Sequence, residues 1–360
     1  MSSAKEQARV QEEVAEDAKL CQELDDLDRV LEDQTFHTEK VVEYNAKQFA
    51  SLAEGINACR LMDMDGNLQP VMLRSCGTQD VYFFTPLDFA FWSAAGPDHA
   101  ELPSRLTRFP YLLDAKINMY ILPRLARDRP DRPIDSLLKV DTKINIAWKE
   151  SLVRNNFLGT LDEKWPAKFP AANINKVICF GLGELYGSDS EDGPDSLRRD
   201  DRGLEKYLIL LAFELVHWLE LKLHIKVPMI FEDSRCDQQD RRRIEDFAEE
   251  TVIRISFIDK CQALLEVDKD TLVLAPGKSR FAIRSPIADI TKHKGGPAGI
   301  LCETVPGITT IEQEVEFSKD NTTDPPTRGV ASMVGDHMKD VCRIPRWGLT
   351  FCLKRTPLEI

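Results

Sequence analysis

The chain has 360 residues, of which 42% are hydrophobic and 30% are charged, and its formal net charge is −13. A chain of this size can bury one large or two modest hydrophobic cores, and its acidic balance argues against nonspecific binding to nucleic acid and against DNA as a partner. The nine cysteines include no CxxC pair and the six histidines show no ligand spacing, so we expect reduced thiols and no metal site.

Residues 1–33 predict an acidic amphipathic helix. They contain eleven acidic and four basic residues, and the leucines at 20, 24, 27 and 31 follow a helical spacing. Such a helix is typical of packing within the chain or of contact with a partner. The polar N-terminus shows no secretory signal, and the longest apolar run, 207–219, is too short to span a membrane. We therefore expect a cytoplasmic protein without a membrane partner.

Residues 34–144 predict an N-terminal α+β region. A helix is followed by a hairpin whose turn is DGN, by the strand VYFFT and by a helix over 111–126.

Residues 145–310 predict a three-layer Rossmann-like domain of the α/β class, which is a parallel sheet with helices on both faces. The short apolar runs KVICFG, PMIFED, TVIRISF, TLVLAP and AGILCE alternate with helical patterns. Residues 311–360 then form a C-terminal extension. Because ligands of such sheets bind at the carboxyl ends of the strands, the loops after these runs are the first place to look for a site.

The first of these loops, GLGELYG at 181–187, is a loose relative of the dinucleotide-binding fingerprint. An acidic loop follows it instead of a helix, and residues 184–205 hold eight acids against three arginines. A pyrophosphate would be repelled there, so we expect no cofactor. A nicotinamide or adenosylmethionine enzyme is the alternative, and it predicts thermal stabilisation by the cofactor.

The acidic cluster has two interpretations. Asp200 or Asp201 can cap the following helix with Glu205 in its first turn, where carboxylates suit the helix dipole. Alternatively, Asp201 and Glu205, four residues apart, hold a guanidinium or ammonium group and relay a proton. Glu232 and Asp233, at the second strand end, either add to the same negative field or form a solvated turn.

Three further features are candidates for the site: Glu184, Ser188 and a run of arginines. Glu184 belongs to the first acidic loop, and Ser188 is either an acyl carrier or a loop serine. The run Arg241, Arg242 and Arg243 is either a solvated face or a contact to a phosphate backbone.

Several segments resemble a known family. KVICFGLGELYG, PMIFED, FIDKCQALLEVDKDTLVLAPGKSRFAIRSPIADI and the upstream WKES are similar to the sensitivity-to-red-light-reduced (SRR-like) domain family in its fungal form, over about residues 145–305. That family often has a glutamine early in the long helix and Gln-Asp-Pro at the second strand end. This chain has Glu205-Lys206 and Glu232-Asp233-Ser234 there.

Within the fungal group, a branch of arginine-containing cyclodipeptide synthases is associated with the signature DDxxE. The nearest match here is DDRGLE, with one additional residue before the glutamate. The resemblance implies that Asp200, Asp201 and Glu205 are catalytic and that Arg-tRNA and a second aminoacyl-tRNA yield a diketopiperazine in secondary metabolism, without a cofactor. The alternative is a non-catalytic, regulatory SRR-like protein, for which the acidic N-terminal helix is the surface that binds a partner.

Overall fold

The computed structural model describes residues 2–31, 36–52, 55–75, 79–95, 112–113, 115–123, 143–168, 173–182, 194–195, 204–232, 238–276, 282–318 and 324–355. These residues form a mixed α/β structure with a seven-stranded, mostly parallel sheet.

Contacts between residues divide the chain into two compact units, each assembled from three segments. The first unit comprises Met1–Arg124, Arg280–Lys292 and Pro306–Ser332, and the second comprises Leu125–Ser279, His293–Val305 and Met333–Ile360. This division does not coincide with the boundaries that the sequence suggested at 144 and 310.

The first unit contains five described helices, part of a sixth, and two small antiparallel sheets. In chain order its elements are α1 (Ser2–Leu31), α2 (Glu39–Ala50), β1 (Gly55–Met62), β2 (Leu68–Ser75), β3 (Gln79–Phe83), α3 (Pro86–Ala95), β4 (Met119–Pro123), α8 (Arg284–Thr291), α9 (Ile311–Ser318) and the start of α10 (Arg328–His337).

The predicted hairpin is confirmed, because β1 pairs with β2 across the turn that contains Gly66, whose φ of 83° suits glycine. The predicted helix over 111–126 is wrong in its second half, where β4 pairs with β3. Buried Asn118 donates a hydrogen bond to the carbonyl of Phe36 at 2.6 Å, so a contact distant in sequence fixes this segment. Tertiary pairing has overridden the local helical pattern there.

The helix predicted for residues 1–33 is present as α1, and its leucine face packs within the first unit. Leu20 and Leu24 are buried against Ala90 of α3 and Val315 of α9. Asp17 and Asp25 lie beside Cys21, which packs against the edge of this leucine face.

The second unit is built on the large sheet. Its elements are the helical residues 143–150, α4 (Leu152–Lys168), β5 (Lys176–Cys179), α5 (Leu204–Leu223), β6 (Met229–Glu232), α6 (Gln238–Thr251), β7 (Ile255–Ile258), α7 (Lys260–Leu265), β8 (Thr271–Ala275), β9 (Gly299–Glu303), the end of α10, β10 (Met338–Ile344) and β11 (Leu349–Lys354). The five apolar runs predicted to be parallel strands are β5 to β9, and their parallel pairing is confirmed.

The sheet extends beyond the parallel strands. Its order is β10-β11-β9-β8-β5-β6-β7, and β11 pairs antiparallel with both β9 and β10. Residues 338–354, expected to belong to an extension, are therefore part of the sheet. Trp347, in the turn between β10 and β11, is fully buried. Its ring centre lies 6.2 Å from that of Trp148, and its indole N–H donates a hydrogen bond to the carbonyl of Pro194 at 3.3 Å.

A tight turn precedes β8 and is held by one carboxylate. Asp268 accepts hydrogen bonds from the Thr271 hydroxyl at 2.8 Å and from the backbone N–H of Asp270 at 2.9 Å, and Lys176 lies 3.0 Å away. Burial acts to raise the pKa of Asp268, but these hydrogen bonds together hold the pKa below its usual value.

The charge of Asp268 should make folding sensitive to acid. Because its pKa is lower in the folded chain, its contribution to stability is complete above the ordinary carboxyl pKa of about 4 and is lost as the pH falls through the lowered value. We expect Asp268→Asn to cost up to about 1 kcal/mol at pH 7 and less at pH 3. Urea unfolding of both proteins from pH 7 to pH 3 measures this, and parallel curves would contradict it.

Candidate functional site

The carboxyl edge of the parallel sheet has one point at which the strand order reverses. The chain runs from β5 through β6 to β7 on one side, then returns to add β8 and β9 on the other side of β5. Ligands of open α/β sheets bind where the order reverses, here beside the ends of β5 and β8. Two residues after β5, Gly181 has a φ of 60°, a left-handed conformation that glycine adopts without strain.

Glu232, the last residue of β6, is a buried carboxylate at this edge. Its side chain is 1% exposed, and Oε2 accepts a hydrogen bond from the backbone N–H of Gly181 at 3.3 Å. The pairing of Cys179 with Phe231 places Glu232 beside the chain that leaves β5. Since burying a carboxylate is costly unless hydrogen bonds or charges compensate it, its position next to the reversal point marks a candidate site.

Three more charged side chains are buried where helices begin at the same edge. α5, α6 and α7 start after β5, β6 and β7, so their first turns lie at the carboxyl ends of these strands. The buried residues in these turns are Lys206, Asp240 and Lys260. Two bases and two acids, counting Glu232, therefore line the edge.

Burial and the charges near this edge shift the thiol pKa of Cys261. Burial, aided by the negative charges of Asp259 and Glu232, raises the pKa of its thiol, while the charge of Lys260 opposes the shift. Glu232 and Lys260 therefore both lie within electrostatic range of the sulfur. The raised pKa keeps the thiol protonated at neutral pH.

Two of the predicted acidic residues at the strand ends, Glu205 and Glu232, lie within the described residues. Glu205 is half-buried in the first turn of α5, and Glu232 ends the neighbouring β6. The other predicted acids and the serine lie outside the described residues; they are Glu184, Ser188, Asp200, Asp201 and Asp233.

The three predicted arginines lie on α6, which begins beside the end of β6. The Arg241 guanidinium stacks 5.1 Å from the ring centre of Phe257, and that of Arg243 lies 4.1 Å from the ring centre of Phe247. Arg243 also lies 3.5 Å from the carboxylates of Asp246 and Glu250. Arg242 is exposed. Two of the three arginines are thus held by contacts within the chain.

The sequence analysis missed Lys206, Asp240 and Lys260. A positional signal for them exists, because each stands in the first turn of the helix that follows a predicted parallel strand. The helix starts supply side chains to the same edge as the strand ends.

Within the described ranges, no group of three or more histidine, cysteine, aspartate or glutamate side chains is placed to bind a metal ion. No described helix combines the length and apolar character needed to cross a bilayer. A scan against protein-family models, a search of curated proteins and a search of solved structures each returned no match.

Proposed function

We propose that this protein is a tRNA-dependent cyclodipeptide synthase that joins arginine, delivered as Arg-tRNA, to a second amino acid. One observation carries the proposal: the buried carboxylate of Glu232 lies beside Gly181 at the reversal point of the sheet, and Glu205 lies in the first turn of α5 at the same edge. The resemblance of the DDRGLE segment to the signature of arginine-containing cyclodipeptide synthases points to the same place.

We also propose that the second unit is a three-layer Rossmann-like domain. In order of appearance, the parallel strands are arranged 3-2-1-4-5, which is the order of dinucleotide-binding sheets. Right-handed crossovers from β5 to β6 to β7 place α5 and α6 on one face. The return from β7 to β8 runs in the opposite direction and places α7 on the other face, which supports three layers.

The charges at the edge suit an arginyl ester. A guanidinium presents paired N–H donors that a carboxylate accepts in a forked geometry, so Glu232 and Glu205 are the proposed partners of the arginine side chain. Asp200 and Asp201 precede Glu205 in the sequence and are proposed to complete this binding site. Lys206 and Lys260 supply positive charge at the same edge, where the carbonyl oxygen becomes negative during attack.

The proposed reaction needs no ATP because the ester to tRNA is already activated. The α-amine of the second aminoacyl group attacks the arginyl carbonyl carbon, the C–N bond forms and the C–O bond to the tRNA ribose breaks. Glu205 or Asp201 takes the proton from the amine and returns it to the departing 3′-oxygen. The arginine α-amine then attacks the second ester in the same way, which closes the six-membered ring and releases the second tRNA.

Binding of the acceptor stems is proposed for α6. Arg242 is exposed, and Arg241 lies beside it at the start of α6, with its guanidinium 5.1 Å from the ring centre of Phe257. Because the contacts of Arg243 with Asp246 and Glu250 hold its side chain, we propose that Arg243 positions α6 and contributes less to phosphate binding.

Production of the full chain in a bacterium, which supplies charged tRNAs, tests the activity. We expect an arginine-containing diketopiperazine in the culture medium, and growth on carbon-13 arginine should raise its mass by the label of one arginine. Asp201→Asn, Glu205→Gln and Glu232→Gln should each lower the product by about 100-fold or more, as expected for a proton relay or a substrate anchor. Mass spectrometry of the medium measures the product.

The matched control is Glu249→Gln, an exposed glutamate near the end of α6, which should leave the yield unchanged. Circular dichroism and thermal melting confirm that every variant is folded. If the folded wild type makes no such product, the protein is not this synthase. If Glu205→Gln yields as much as Glu249→Gln, Glu205 is not part of the site. The non-catalytic alternative predicts both outcomes.

A further inference from the structure

The acidic helix α1 and helix α9 enclose a groove in the first unit. The groove has a volume of about 760 Å³. α1 contributes Asp17, Cys21 and Asp25, spaced four residues apart on one face, together with Ala18 and Gln22. α9 contributes two parallel rows, which are Ile311 with Val315 and Glu312 with Glu316, and also Gln313.

The floor of the groove is apolar and its walls are acidic. Cys21 and Ile311 are partly buried against the small core that contains Leu20, Leu24 and Val315, so they form the floor. Asp17 and Asp25 lie on one wall, and Glu312 and Glu316 lie on the other. In the described part of the chain, neither lysine nor arginine lines the groove.

The charges on the two walls are maintained in different ways. Asp25 is paired with Arg29, one turn further along α1. The backbone N–H of Glu312 and the Thr310 hydroxyl hold the pKa of Glu312 below its usual value, so this carboxylate is ionised at neutral pH. Glu314, in contrast, is buried and bound to Arg328 at 2.8 Å, outside the groove.

We propose that this groove binds an amphipathic, basic helix of a partner protein. The apolar side of the partner helix lies on Cys21 and Ile311, and its lysines and arginines meet the carboxylates of both walls. The proposal is independent of the catalytic function proposed above.

The shape and charge of the groove decide the class of partner. The row from Asp17 to Asp25 extends about 12 Å along α1, which is a little more than two turns of helix. Side chains at i, i+3, i+4 and i+7 of a docked helix match a trough of this kind. A second copy of this chain would bring another acidic α1 against acidic walls, so charge complementarity selects a basic partner.

A synthetic, fluorescein-labelled peptide of 18 residues serves as the probe, with leucine at i, i+3, i+4 and i+7 and lysine elsewhere. Fluorescence anisotropy with the full chain at low salt measures its dissociation constant. We expect it to bind at least about tenfold more tightly than a peptide of the same composition in scrambled order, because scrambling removes the apolar face.

Removal of the negative charges from the two walls of the groove should weaken binding of the peptide. The variant Asp17→Asn/Asp25→Asn/Glu312→Gln/Glu316→Gln should raise the dissociation constant about tenfold or more. The control Glu43→Gln/Glu163→Gln/Glu245→Gln/Glu249→Gln removes the same net charge from exposed positions on α2, α4 and α6, and should change it less than about threefold. Ala18→Arg, which places a cation on the exposed wall of α1, should also weaken binding.

The reactivity of a cysteine can show whether the peptide binds in the groove. Cys21 lines the groove, whereas Cys59 is a half-buried free thiol on β1 of the same unit. Bound peptide should slow alkylation of Cys21 by iodoacetamide, measured by mass spectrometry, and leave the rate at Cys59 unchanged. Equal weakening by both four-residue variants, equal binding of the scrambled peptide, or no protection of Cys21 would each overturn the proposal.

Discussion

Replacement of Asp324 by alanine should lower the free energy of unfolding by about 3 to 5 kcal/mol, among the largest losses expected for a single charged residue of this chain. Asp324 is the partner of Arg284, whose side chain is 3% exposed, and the two side chains meet at 2.9 Å. The backbone carbonyl of Asp324 accepts a second hydrogen bond from the same guanidinium. Removal of the carboxylate would take this counter-charge away from a buried cation.

Asp324 also stabilises the start of α8. The residue before this helix, Ile283, offers no side-chain cap, and the Asp324 carboxylate accepts the backbone N–H groups of Ile283 at 3.0 Å and Arg284 at 3.2 Å instead. A carboxylate at this end of a helix also interacts favourably with the helix dipole. Asp324→Asn keeps part of this cap but loses the charge, so we expect a smaller loss than for alanine.

Urea unfolding at pH 7 measures both variants. Glu43→Ala in the same unit is the control, because its ion pair with Lys47 on α2 is exposed and worth about 0.3 to 0.5 kcal/mol. A loss at Asp324 no greater than the loss at Glu43 would show that the buried pair does not stabilise the first unit.

Replacement of Gly299 by alanine should destabilise the large sheet by about 2 to 3 kcal/mol. Gly299 begins β9 and lies between Leu272 of β8 and Leu353 of β11. A β-carbon at this position would lie 2.5 Å from Cδ2 of Leu353 and 2.8 Å from the carbonyl oxygen of Cys352. Because the second contact is to backbone, relief requires β9 and β11 to move apart.

Gly159→Ala should raise the stability of the protein, whereas Gly299→Ala should lower it. Gly159 lies inside α4, and a β-carbon there would meet no heavy atom within 4 Å. Alanine should therefore raise stability by about 0.5 to 1 kcal/mol, since glycine is unfavourable inside a helix. Thermal and urea unfolding of the two variants side by side measure both effects, and a similar change of stability in both would contradict the close approach of β9 and β11.

The sequence predicted the parallel strands better than the other elements, for a physical reason. Strands β5 to β9 are short apolar runs that alternate with longer helical patterns, as buried parallel strands do in α/β proteins. β4 and β10 carry no such signal. The segment containing Met119 has a local pattern suited to a helix, and its pairing with β3 decides its structure. β10 mixes exposed and buried residues without a simple period, because its register with β11 shifts between Asp340 and Cys342.

The sequence indicates where the candidate site lies, but it does not indicate all of the residues there. Glu232 stands at the end of a predicted parallel strand, where ligands of such sheets bind, and in the structure it is buried and accepts a hydrogen bond from Gly181. Lys206 and Lys260 were missed because a lysine at a helix start is normally a solvated side chain, and its burial depends on neighbours from other strands. Likewise, the run from Arg241 to Arg243 does not reveal that two of its members pack on phenylalanine rings.

Each unit is assembled from three separate segments of the chain, and this has a consequence for folding during biosynthesis. The first unit ends at Ser332 and the second at Ile360, although the first begins at residue 1. On a ribosome, the N-terminal segment must therefore wait until more than 300 residues have been made before it meets its last partners. Contacts that distant in sequence slow folding and prolong the exposure of apolar surface. Nascent chains of this protein should depend on chaperones more than chains whose domains are completed one after another.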